Sequence, residues 1–170
     1  LFIIFLCQII FCIILKSSTK ISRIKLPIKN YHFLAIFIIF YIAIFSFISV
    51  SQLNNYRNFN SQDLGLYNQI LWNNLHGRFF QNSTSGSNFV THNSPFLILL
   101  TPFYATYPHP ATLLVLKIIF LAISIIPFFL IIKNILGEDF AILLASAFIF
   151  YPFWVAQNFS APHEICFLPP

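Results

Sequence analysis

The sequence is poor in charge: Asp, Glu, Lys and Arg make up 8% of its 170 residues, while 58% are hydrophobic and 19% aromatic. Soluble domains carry about 25% charged residues, so a water-soluble globule is excluded. Disorder is excluded by the same figures, because chains that stay unfolded are charged and short of aromatics. Acids number four and glycines four, and the sequence holds no glycine-rich phosphate loop, Ser/His/Asp signature, metalloprotease helix or internal repeat. The three cysteines, Cys7, Cys12 and Cys166, are odd in number and scattered through apolar sequence, without the spacing of a zinc site or a disulfide framework. Methionine is absent. With apolar Leu1 at one end and Leu168-Pro169-Pro170 at the other, we expect an internal fragment of a longer protein.

Long apolar runs dominate what is there. Tyr31 to Val50 carries no charge and has the length needed to cross about 30 Å of hydrocarbon. Leu1 to Leu15 is apolar but shorter, either the remainder of a spanning helix or a secretory h-region. Between them lie Lys16, Lys20, Arg23, Lys25 and Lys29 with no acid. Most of the net charge of +5 therefore sits in one short stretch, which reads as a topogenic signal rather than a nucleic-acid patch. It places residues 16–30 in the cytoplasm.

The 31–50 span then runs outward, and 51–94 becomes an extracytoplasmic loop. Residues 95–107, with Pro102 inside, are too few to cross easily and read as an interfacial or re-entrant segment. Residues 111–132, which contain Lys117 and Pro127, run inward, and 140–156, with Pro152, return outward. We expect kinks at both prolines. The short link Leu136-Gly137-Glu138-Asp139 makes these last two spans antiparallel neighbours. The expected fold class is all-α, a polytopic transmembrane helix bundle of the cell membrane, with membrane lipids as its surroundings. Residues 1–30 form a partial first helix and basic loop, and residues 31–170 form a multi-pass domain.

Within the outer loop, Leu64, Tyr67, Ile70, Leu71 and Leu75 fall at helical spacing with amides between them, and Gly77 can close the helix. Such an amphipathic helix, directly after a span, is expected in the headgroup plane. Asp63 stands in its first turn and is the only acid of the loop. It either supports the helix start or acts as a base or ligand at the membrane surface. Residues 81–88 are small and polar and read as a mobile loop. His92 is an interfacial residue or a ligand. His163 and Glu164 follow the last outward span and so share the face of Asp63 and His92, as a solvated loop or as a paired functional group. Lys117, the one charge within a span, either snorkels or faces the bundle and offers a cation to a lipid phosphate. Asn82-Ser83-Thr84 and Asn158-Phe159-Ser160 fit the N-glycosylation pattern, which chance alone supplies often in an Asn-rich chain.

Several of these residues together carry a resemblance. Asp63-Leu64-Gly65-Leu66-Tyr67-Asn68-Gln69 with Leu71-Trp72 and His76-Gly77, His92 with Ser94-Pro95, Pro102-Phe103-Tyr104, Thr112-Leu113-Leu114, Tyr151-Pro152 and His163-Glu164 resemble the domain-of-unknown-function 2079 membrane proteins over about residues 55 to 168. The family's last motif usually reads Phe-His-Pro-Glu, whereas here Pro162 precedes His163 and Glu164. Members are several times longer, so the resemblance makes this chain an N-terminal part. By analogy of fold the family looks like the GT-C class of membrane glycosyltransferases, which take sugars from polyprenyl-phosphate donors at the outer leaflet.

That analogy implies Asp63 as catalytic base. His92, His163 and Glu164 would bind the acceptor or assist Asp63, and Lys117 or Arg78 would hold the donor phosphate. One Asp, one Glu and two His are also compatible with a divalent metal, although no ligand set is assigned. The alternative from another class is a transporter or flippase, its pathway lined by Lys117 and the proline-broken helices. An inactive truncated product is the third reading.

Overall fold

The computed structural model describes residues 30–55, 61–91 and 95–160. The 1–29 stretch, with its cysteines and cations, lies outside the described residues, as do His92, His163, Glu164 and Cys166. The element order is α1 (Asn30–Asn54), α2 (Ser61–Leu75), β1 (Gln81–Asn82), β2 (Gly86–Ser87), α3 (Asn88–Thr91), α4 (Leu97–Tyr104), α5 (Pro110–Ile123), α6 (Ile125–Leu136), α7 (Glu138–Ile149) and α8 (Pro152–Phe159).

Among the described residues two stretches, His32–Asn54 and Pro110–Leu136, are long and apolar enough to cross a membrane, and α7 with α8 makes a third if that bent pair is one span. Helix α1 runs past Val50 because Ser51, Gln52 and Leu53 offer no breaker. It is apolar all round, so its buried stripe of Leu34, Tyr41, Phe45 and Ser49 cannot be picked out by periodicity. That stripe packs mainly on α5.

Proline sets the bends. Pro127 has no N–H for the carbonyl of Ile123, and its ring crowds that carbonyl. The helix therefore breaks ahead of the proline, at Ser124, whose Oγ donates back to the Leu121 carbonyl at 2.6 Å. Pro152 acts on the residue before it: Tyr151 is driven to ψ 132°, outside the helical region. The axes of α7 and α8 consequently meet at 45°. Gly137 alone links α6 to α7, at φ 91° and ψ 172°, a conformation open essentially only to glycine. The two helices fold back on each other, with Ala141 and Ala145 at one-turn spacing on the buried face, small enough to let backbones approach. Phe128 stacks on Phe148 across this contact, ring centroids 4.3 Å apart.

The region before α5 forms a cap rather than a loose loop. The apolar stripe of α2, expected to lie in lipid headgroups, is instead covered by protein: Leu64, Tyr67, Ile70 and Leu71 join Leu97, Leu100 and Tyr104 of α4 and Leu113 and Leu114 of α5 in one core. Its amides hold the 81–88 segment, expected to be mobile, as an ordered hairpin. The Asn73 amide donates to the Gln81 carbonyl at 2.9 Å, and Gln69 Oε1 accepts from the Ser83 N–H and hydroxyl at 3.1 and 3.0 Å. Asn74 accepts from the Phe80 N–H at 2.8 Å and donates to Thr101 at 3.3 Å, tying hairpin to α4. Gly77, at φ 73°, closes α2 in a Schellman turn, with the N–H of Arg78 on the Asn73 carbonyl and that of Gly77 on Asn74. Pro110 opens α5 at its first turn, and the His109 ring accepts from the Ala111 N–H at 3.2 Å as N-cap.

Candidate functional site

Three segments distant in sequence meet on α5 between Leu113 and Phe120. Leu113 and Leu114 share a core with Leu64, the neighbour of Asp63. Phe96, just after the 92–94 stretch, sets its ring edge-on to Phe120, centroids 5.9 Å apart. Between these contacts lies Lys117, fully buried, whose Nζ donates to the carbonyls of Asn158 at 3.2 Å and Ser160 at 2.5 Å. The last carbonyls of a helix have no partner within it and carry partial negative charge. An ammonium with three donors satisfies them. A charge among apolar helices is otherwise costly, and these bonds offset part of that cost for Lys117.

The contact extends into a polar network across three helices. Asn158, also fully buried, donates its amide to the Tyr41 hydroxyl and, at 3.0 Å, to the Trp154 carbonyl. Ser49 Oγ donates to the Asn158 carbonyl at 3.0 Å. The C-terminal half of α1, the middle of α5 and the end of α8 are thereby fixed together. The next residues after Ser160 lead directly to His163 and Glu164.

Asp63 is the third residue of α2 and half-buried, in the turn where free N–H groups and the helix dipole favour a carboxylate. Arg78 is exposed beyond the opposite end of the same helix, about 20 Å away by helical rise. The structure thus places Asp63 next to Leu64, which shares the core of Leu113 and Leu114, and Arg78 beyond the other end of α2. Residues 55–170 match the family model described as Predicted membrane protein (DUF2079). The chain belongs to that family. No curated protein and no solved structure matches it.

In this DUF2079 chain, no group of three His, Cys, Asp or Glu side chains could hold a metal ion among the described residues. Of the four candidate donors only Asp63 lies among the described residues. Sequence reasoning passed over Tyr41, Ser49 and Asn158. The signal for Asn158 was an amide closing an apolar run, which the glycosylation pattern obscured. Asn82 and Asn158, the two acceptor asparagines, are both buried. Tyr104 was missed as well: fully buried, it donates to Asn68 Oδ1 at 2.6 Å, and burial pushes its hydroxyl pKa up.

Proposed function

We propose that this DUF2079 chain is the N-terminal part of a GT-C-like glycosyltransferase that moves a sugar from a polyprenyl-phosphate donor at the outer membrane face. The observation that supports this reading is the meeting on α5: Leu64 next to Asp63, Phe96 four positions after His92, and Ser160 three before His163 each lie against α5 between Leu113 and Phe120. In this mechanism Asp63 takes the acceptor hydroxyl proton as the sugar is transferred, and the lipid phosphate departs with the bond electrons. His92, His163 and Glu164 bind the acceptor. Lys117 donates to the Asn158 and Ser160 carbonyls and so serves as a positioning residue for the end of α8. Arg78, exposed beyond the far end of α2, remains the candidate to hold the donor phosphate.

The test is consumption of radiolabelled polyprenyl-phosphate sugars by the intact protein in vesicles. Donor loss that disappears in Asp63→Asn, with membrane insertion unchanged, supports the reading. Transfer retained in that variant removes Asp63 from the mechanism. A transporter or flippase is favoured by one specific observation, the Lys117, Asn158, Tyr41 and Ser49 network inside the helices. Movement of intact lipid-linked sugar between leaflets without its consumption would select that function.

A further inference from the structure

The hairpin of the cap ends in an unusual piece of backbone. Phe80 is buried yet adopts φ 56°, a left-handed conformation that a bulky side chain rarely takes. It is held there from two sides, its N–H on Asn74 Oδ1 at 2.8 Å and its carbonyl accepting from the Asn88 N–H at 2.7 Å. The register is Gln81↔Ser87 and Asn82↔Gly86, and the Phe80 and Asn88 bond closes the open end of the hairpin. The turn buries Phe80, its ring 4.6 Å from that of Phe89, and turns Phe79 outward. Phe79, Phe89 and Val90 are 57%, 50% and 74% exposed. Exposed Arg78 immediately precedes them.

We infer that this hairpin base, Arg78-Phe79 with Phe89-Val90, is a membrane-interface anchor that seats in the headgroup and upper acyl region of the bilayer the chain itself spans. These exposed apolar side chains, on a cap that also exposes Leu99 and Phe103 of α4, match the aromatic belts that hold membrane proteins at the water boundary. The charge fits as well, since the Arg78 guanidinium is suited to lipid phosphate oxygens. Anchoring belongs to the strained hairpin base, not to α2, whose apolar stripe is already used inside the protein. The hairpin tip at Thr84 and Ser85 is polar and stays in water. This inference requires only membrane residence and does not depend on sugar transfer.

The test uses the full-length protein, depleted of its own cysteines, in vesicles of phosphatidylcholine and phosphatidylglycerol. Single cysteines at positions 79, 89 and 84 carry a fluorescent label, read against nitroxide quenchers fixed shallowly on lipid or dissolved in water. Labels at 79 and 89 are expected to be quenched several-fold more by the lipid-borne nitroxide than the label at 84, with the order reversed for the aqueous quencher. Shielding of 79 and 89 from both quenchers would mean that protein covers them, either the rest of the chain or a second copy, and would overturn the inference. Quenching from water alone would overturn it equally. Should the cysteine variants fail to fold, Phe79→Trp and Phe89→Trp, with Trp72 and Trp154 replaced by Phe and brominated lipids as quencher, give the same two-way answer.

Discussion

At the scale of single residues, Lys117 decides most. Replacing it with Met removes the donor to the Asn158 and Ser160 carbonyls while keeping most of the apolar stem. Unsatisfied buried groups cost about 1–3 kcal/mol, so Lys117→Met is expected to unfold earlier in a detergent melt. In the proposed enzyme it would also lower donor turnover, and Lys117→Arg, which keeps charge and donors, should recover part of both. Equal activity in Met and Arg variants would remove the positioning role.

Tyr104 gives a pH signature. Burial favours its neutral form, so its folded pKa lies above the ordinary value of 10.0. Above pH 10 the unfolded chain ionises first and the folded state loses stability as pH rises toward the folded pKa. Tyr104→Phe removes that loss at high pH, and at neutral pH costs about 1 kcal/mol for the bond to Asn68. Melts of both proteins at pH 7 and above pH 10 measure the two effects.

At the scale of elements, the bends belong to particular residues. Gly137, at φ 91° and ψ 172°, is the hinge of the α6–α7 pair. A Cβ there meets no neighbouring atom within 4 Å, so the whole penalty of Gly137→Ala is backbone strain, about 1–3 kcal/mol. The measurement is a thermal shift in detergent. No shift would mean that the turn relaxes freely. The Lys133 to Glu138 pair beside it, 3.6 Å apart with both side chains partly exposed, contributes little because water screens it. Helix α2 shows how an amphipathic pattern is neutral about its partner. Its stripe at Leu64, Tyr67, Ile70 and Leu71 suits lipid as well as protein, and α4 and α5 supply the protein.

At the scale of the whole molecule, the proposed site depends on sidedness. Cysteine labelling in intact cells should place positions 63, 92 and 163 together on the non-cytoplasmic face, and labelling of 92 and 163 from opposite sides would dissolve the site. The sequence by itself determined the membrane class, the existence of the apolar helices, the proline bends and the family, because these follow from composition, run length and local backbone chemistry. Two things were hidden. A helix apolar all round, such as α1, reveals no inward face, so the stripe carrying Tyr41 and Ser49 emerged only from packing on α5. The amides of α2 and Asn158 looked like solvent-facing or glycosylation residues, yet they bond to segments as far as 117 positions away. Only tertiary contact decides which polar group meets which, because a hydrogen bond is specified by positions in space and not by neighbours along the chain.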